Sequence, residues 1–337
     1  MTNCGFEQCK GHALTGAIFC WNHISDKDAY RENIVKLINE GASVKGGNFS
    51  KADLSNMNLA RVDLTGANLS RANLSNSNLF DANLTNAELL GADLSNCDLT
   101  SANLHGSDLT RSCLHGARLW HANLEGANLI EATMSNCDLW NTRLFNIRLW
   151  RTDFMHAISL SKKNFQSRLN RFLTVHRIEE KGAFSAEEAY RDLKKYFLAN
   201  GRYDDASWAS FKEKTMEKLL LKKKRNPAYL PSLIMDLLCG YGEKPHRIIL
   251  SSLFVILAYA LIFAALNAVT YTHFPSYKMP FGDYLYYSVI TFTTVGYGDF
   301  IPKSNLIYRA IAGAEAFTGA FMIGLFVFTL ARKYSAR

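Results

Sequence analysis

From Phe49 to Phe154 every fifth residue is Leu or Phe, with Met134 the one exception, a run of 22 positions without a slip. Two places ahead of each sits a mostly small side chain, such as Ala52, Ala67, Ala72, Ala82, Ala92, Ala102 and Ala122, with Ser77, Cys97 and Cys137 as variants. Asn or Asp commonly lies between the two. A period of five fits neither the helical turn nor the strand, in which alternate leucines would face outward.

These residues resemble the pentapeptide-repeat family. The resemblance implies a right-handed quadrilateral β-helix with four repeats per coil over residues 48–158. One repeat on each side turns every leucine inward, and the small residues fill what is left. Coils stacked about 4.8 Å apart would satisfy the backbone, giving roughly five and a half coils and a rod of about 26 Å. No repeat brings together a nucleophile, a base and an orienting group, so the solenoid is expected to be a scaffold or regulatory module and the protein not an enzyme. A period of twenty places Phe80, Trp120 and Trp140 on one face and Leu90, Ile130 and Trp150 on the opposite one. Such outward apolar side chains mark a contact surface, expected to meet the chain's own helices or a neighbouring subunit. Arg61, Arg71, Arg111, Arg118, Arg143, Arg148 and Arg151 oppose the acidic surface with which some family members mimic DNA, which leaves mimicry a minor alternative, and no nucleic-acid partner is expected because the chain's basic residues concentrate beside its apolar segments.

Farther along, Ile248 to Val269 holds no charge and is long enough, at about 1.5 Å per residue, to cross a hydrocarbon core of roughly 30 Å. Leu306 to Ala331 is as long but carries Arg309 and Glu315. Lys244, His246 and Arg247 precede the first run, and Arg332, Lys333 and Arg337 follow the second, so both termini are expected on the cytoplasmic side. The net charge of +8 is concentrated at 212–225, 244–247 and 332–337, which suits a membrane face. Between the runs, Phe281 to Phe292 is apolar and aromatic but too short to span. A re-entrant helix fits, and a non-helical stretch must follow it.

That stretch reads Thr293-Thr294-Val295-Gly296-Tyr297-Gly298-Asp299, and here residues 248–331 resemble the potassium channel pore family. A dehydrated potassium ion needs a ring of oxygens. Backbone carbonyls can all face one axis only if alternate residues take unusual dihedrals, which Gly296 and Gly298 permit. The resemblance implies K+ as the permeant ion, bound by Thr294, Val295, Gly296, Tyr297 and Gly298, and a homotetramer, since one chain supplies one loop and the family's filter uses four. It also implies Thr293 and Asp299 as filter support, Gly319 as a gating hinge, and Ala320, Ile323 and Val327 as pore-lining residues, while Glu315, an ionisable residue inside a membrane helix, is either a functional group or filter support that hydrogen-bonds behind the loop. Close packing between helices is the other reading of Gly319. Ile290 stands where some family members place a glutamate that pairs with the aspartate after the filter, so Asp299 is expected to find another partner. No membrane helix carries arginines at every third position, so ordinary voltage sensing is not expected.

The seven cysteines are odd in number, and the chain begins without an apolar leader, so no disulfides are expected. Cys4, Cys9, Cys20 and His23 form two close pairs of soft or borderline ligands, a set that suits a structural Zn2+. Residues 185–200 read as a helix beginning at Ser185 and ending at Asn200-Gly201, and a second runs from about Asp204 to Lys224. Tyr229 to Cys239 reads as an interfacial helix with Leu230, Leu233, Ile234, Leu237 and Leu238 on one side.

The expected organisation is a multidomain membrane protein of the inner or plasma membrane, with both termini cytoplasmic. It has a Cys/His knot at 1–26, a short helix and linker at 27–47, the solenoid at 48–158, a helical linker at 160–227, and an interfacial helix and loop at 228–247. An all-α pore domain follows, with spans at 248–270 and 305–332, a pore helix at 281–293 and the filter at 294–299. Its expected partners are the bilayer, three more copies of itself, and an unidentified cytoplasmic ligand or protein.

Overall fold

A computed structural model describes residues 3–7, 9–166, 180–274 and 277–335, and the chain divides into two units, Met1–Glu217 and Lys218–Arg337.

In the first unit, parallel backbone bridges join residues twenty apart, Asn48 with Asn68, Asp53 with Asn73, and onward to Asp138 with Ile158. Each coil therefore uses four five-residue repeats. The inward positions are sealed, with Leu74, Leu99 and Leu124 all 0% exposed. The corner needs a left-handed residue two places after each leucine, and Asn56 (φ 58), Arg71 (φ 59) and Gly66 (φ 64) occupy such places. The Asn or Asp just before the leucine secures the same corner. Asn73 Oδ1 accepts the Ser75 N–H at 3.1 Å and Asp93 Oδ1 that of Ser95 at 2.9 Å. Where Cys replaces Ala, the thiol donates inward, Cys97 to the Leu74 carbonyl at 2.8 Å and Cys137 to that of Leu114 at 2.7 Å. Burial pushes both thiols up to about 12, so they are inert.

Both ends of this solenoid are covered. At the start, Leu14 and the helix α1 (Lys27–Asn39), through Tyr30 and Ile34, join the core beside Phe49. Asn48 is gripped by Thr15, its N–H donating to Thr15 Oγ1 at 2.7 Å and its carbonyl accepting the Thr15 N–H at 2.8 Å. At the far end, Asn164 Nδ2 donates to the carbonyls of Leu139 and Thr142 at 2.9 and 3.0 Å. Helices α2 (Glu180–Ala199) and α3 (Tyr203–Lys223) add Leu193, Phe197, Ala206 and Ala209 to the same core. A β-solenoid needs such caps because its last coils otherwise present unpaired backbone.

Helix α2 begins at Glu180, ahead of the expected start at Ser185, whose backbone lies inside the helix. Ser is tolerated in a helix interior, and Gly182 weakens helix propensity without stopping it. The helix ends where expected, at Gly201 with φ 66. The first part of the 160–227 linker, residues 167–179, lies outside the described residues.

In the second unit, α4 (Tyr229–Cys239) leads through Gly240 (φ 54) to α5 (Pro245–Leu266). The strand β1 (Val269–Tyr271), the helix α6 (Phe281–Phe292), the strand β2 (Phe300–Pro302) and the helix α7 (Leu306–Ser335) follow. Helix α5 and residues Leu306–Ala331 of α7 are each long and apolar enough to cross a membrane. The first span is displaced from the expected 248–270. Asn267 takes a left-handed turn (φ 45) and stops the helix, and the β-branched Val269 and Thr270 go into an antiparallel ribbon pairing Val269 with Pro302. Helix α7 runs past the expected end at 332, and of its basic tail Arg337 lies outside the described residues.

The stripe expected on α4 is divided. Leu230, Ile234 and Leu237 are exposed, whereas Leu238 turns inward with Met235 and Cys239 onto Ile248, Met322 and Leu325. The division arises because α4 packs on α5 and α7 with one face only. Asp236 fixes this corner, accepting from Arg247 Nη1 at 2.9 Å and pairing with Lys218.

Candidate ion-conducting site and metal centre

The chain after α6 is held in an open, irregular course by the helix it leaves. The Ile290 carbonyl accepts the N–H groups of Val295 and Gly296 at 3.0 and 3.3 Å, and Thr293 Oγ1 donates to the Val289 carbonyl at 2.8 Å. Thr294 (φ 58), Gly296 (φ 53) and Gly298 (φ 81) are all left-handed, so the unusual dihedrals fall on alternate residues. Glycine adopts them without strain, whereas Thr294 is kept there by its surroundings. Val295 and Tyr297 are 52% and 72% exposed, so in one chain these residues meet no covering element. The negative end of the α6 dipole faces the start of this stretch.

The outer end of the loop is tied to the β ribbon. Thr272 N–H donates to the Asp299 carbonyl at 2.8 Å, and Thr272 Oγ1 to the Gly298 carbonyl at 2.7 Å. The Gly298 carbonyl, expected to face the ion, is thus engaged by Thr272. Asp299 Oδ1 accepts the Phe300 N–H at 3.0 Å. Thr272 was not expected, and no local pattern marks it, since its partners lie 26 and 27 residues away.

Gly319 packs against the C-terminal end of α6. A methyl group there would lie 1.9 Å from the Phe292 carbonyl oxygen, so glycine is what allows α7 to approach the pore helix. Gly324 has nothing within 4 Å. Ala320, Ile323 and Val327 share an exposed face of α7. Glu315 is fully buried among α5, α6 and α7, where its Oε1 meets Ser288 Oγ.

In the first unit, the ligand atoms of Cys4, Cys9, Cys20 and His23 all lie within 4.8 Å of one another. Cys9 and Cys20 Sγ are 3.8 Å apart, and His23 Nδ1 is 3.5 Å from Cys4 Sγ and 3.3 Å from Cys20 Sγ. These separations match the edges of a tetrahedron with metal–sulfur bonds of about 2.3 Å. Backbone N–H groups of Cys20 and Gly11 point at Cys4 Sγ and Cys9 Sγ, each at 3.3 Å. Desolvation pushes the Cys4 thiol up, but hydrogen bonds from the backbone at Cys20 and Phe6 and from His23 outweigh it and bring the thiol to about 6. Phe6 stacks on the His23 ring at 4.1 Å. The cluster does not include His12, whose backbone pairs with that of Asn3.

On the solenoid, Trp150 is part-buried and its Nε1 donates to Glu188 Oε2 of α2 at 2.6 Å, so it meets the chain's own helix. Phe80 is 37%, Trp120 38% and Trp140 53% exposed, with Trp120 and Trp140 in edge contact at 6.1 Å.

Comparison with known proteins agrees with both units. Residues 248–336 match the family model described as ion channel, and residues 40–76, 77–116 and 112–151 match that of pentapeptide repeats. Among solved structures, the chain is similar to alr5209, a pentapeptide repeat protein from Nostoc Pcc 7120 (31% identity, 40% of this chain, 93% of that one, TM-score 0.20). It is also similar to Rfr23, a pentapeptide repeat protein from the cyanobacterium Cyanothece 51142 (26% identity, 40% and 97% of the two chains, TM-score 0.25). A third is a pentapeptide repeat protein from the Arabidopsis thaliana thylakoid lumen (26% identity, 38% and 73%, TM-score 0.17). No curated protein matches. The C-terminal part of this chain is an ion channel domain, which makes it a membrane protein. Ahead of that domain the chain carries pentapeptide repeats.

Proposed function

We propose that this chain is one of four identical subunits of a potassium-selective channel that conducts K+ passively. The observation that carries this reading is the left-handed backbone at Thr294, Gly296 and Gly298, between a short helix and two apolar spans. In that conformation the carbonyls of Thr294, Val295, Gly296 and Tyr297 can serve one axis, and the bare faces of Val295 and Tyr297 are what neighbouring subunits would cover. Thr293, Asp299 and Glu315 support the loop, and Ala320, Ile323 and Val327 line the path below it. Gly319 works as a hinge by parting from the Phe292 carbonyl. K+ flux into liposomes carrying the purified protein tests the reading. Flux should be blocked by Gly296→Asp, and equal Na+ and K+ flux would overturn the selectivity.

The pentapeptide repeats form a right-handed quadrilateral β-helix that serves as a cytoplasmic scaffold or gating module, the protein lying in the inner or plasma membrane with both termini cytoplasmic. Phe80, Trp120 and Trp140 are its contact surface, toward a neighbouring subunit or a cytoplasmic ligand or protein. Cys4, Cys9, Cys20 and His23 hold a structural Zn2+ that secures the start of the solenoid, where burial alone is small. Metal analysis of the full chain should find one zinc per subunit, and none after Cys9→Ser with Cys20→Ser. Deleting residues 1–160 should change open probability, and an unchanged value under every condition tried would overturn the gating role.

A further inference from the structure

Resting on the channel reading above, we propose that Glu315 is a neutral carboxylic acid that positions the pore helix by donating its proton to Ser288, and that alkaline pH weakens conduction by removing that proton.

Hydrogen-bond counting leads there. Glu315 and Ser288 are each 0% exposed. Ser288 Oγ lies 2.8 Å from the Ile256 carbonyl and also meets Glu315 Oε1. A hydroxyl owns one proton, and a carbonyl can only accept, so the Ser288 proton goes to Ile256. The contact with Glu315 then needs its proton from the carboxyl. Glu315 Oε2 has no hydrogen-bond partner, so an ionised carboxylate here would be a buried charge without a donor. No cation pairs with either oxygen among the described residues. Helix α5 carries His246 and Arg247 at its start and then Tyr259, α6 carries Asp283, Tyr284, Tyr286 and Tyr287, of which Tyr287 acts electrostatically with Glu315, and α7 carries Tyr308 and Arg309 more than a turn earlier.

The relay runs from α7 through α6 to the backbone of α5, tying three helices at one point. Its place matters because one turn farther along both helices, four residues on from Glu315 and from Ser288, Gly319 meets Phe292. Phe292 is the last residue of α6 before the left-handed stretch begins. The proton therefore holds the helix end from which the filter departs. Glu315 acts through Ser288 and touches no ion, so its role is positioning.

K+ flux in liposomes and infrared spectra of the same purified protein test this together. Wild-type flux should fall about tenfold from neutral to alkaline buffer, the scale of one lost hydrogen bond to a buried group. Glu315→Ala should lose a similar factor at neutral pH. Glu315→Gln, which keeps an N–H donor at the same place, should rescue flux relative to Ala and abolish the alkaline fall. The spectrum at neutral pH should show a protonated carboxyl band that Glu315→Gln removes. A wild-type spectrum without that band overturns the proposal, as does a Glu315→Gln channel that keeps the wild-type pH profile. If the band is present but no variant conducts at any pH, the channel reading fails while the assigned proton stands, so the two failures are distinguishable.

Discussion

The two units solve burial in opposite ways. Each solenoid coil is completed by the next coil of the same chain, so its leucines reach 0% exposure and its backbone groups pair between coils at 2.6–3.2 Å. In the second unit α5 exposes Phe254 at 73% and α7 exposes Phe317 at 77%, and Tyr297 is 72% exposed. Those surfaces are too apolar for water and call for lipid or further copies of the chain. One region carries its stability in its own repeat, and the other is finished only by its surroundings.

Substitutions can break or sharpen that contrast. The largest effect is expected at Gly296, where any side chain strains a left-handed backbone. Gly296→Asp should abolish K+ flux while leaving the solenoid's circular dichroism unchanged. Within the solenoid, Leu99→Ala should cost about 2–5 kcal/mol by leaving a cavity in a sealed coil, read by denaturant unfolding followed at the β signal. Gly319→Ala, which forces a methyl onto the Phe292 carbonyl, should cost about 1–3 kcal/mol in the second unit alone, seen as a lower melting temperature in detergent. Trp150→Phe removes the hydrogen bond to Glu188 and should cost about 1 kcal/mol. Trp140→Ala, on the uncovered face, should change the stability of the isolated subunit by less than about 0.5 kcal/mol. A larger loss confined to the assembled oligomer would identify Trp140 as a subunit contact.

Legibility in the sequence follows the range of the interactions involved. The leucine ladder and the unusual dihedrals at Gly296 and Gly298 are local demands of backbone geometry repeated or clustered in a few positions, and they could be read directly. The cluster of Cys4, Cys9, Cys20 and His23 was readable too, because two close pairs of Cys and His in a short segment point to one place. Ser185 misled because a good N-cap residue is also tolerated inside a helix, and the span boundary at 270 misled because hydropathy does not distinguish the end of α5 from an apolar strand. Thr272, Asn164 and Asp236 gave no signal. Each is an ordinary polar residue whose partner lies far off in the chain, 22 and 25 residues away for Asn164 and 26 for Thr272.

By itself the sequence determined the period of the solenoid, the order of the apolar segments and the glycine positions after the short helix, since each follows from side-chain size, polarity or φ preference along a continuous stretch. Only the tertiary structure decided that Gly319 is a point of contact, that the Gly298 carbonyl is taken by Thr272, and that Glu315 meets Ser288. Those facts depend on which donors and acceptors meet when three helices close on one another. Hydrogen-bond capacity is written in each residue, but its use is settled by packing.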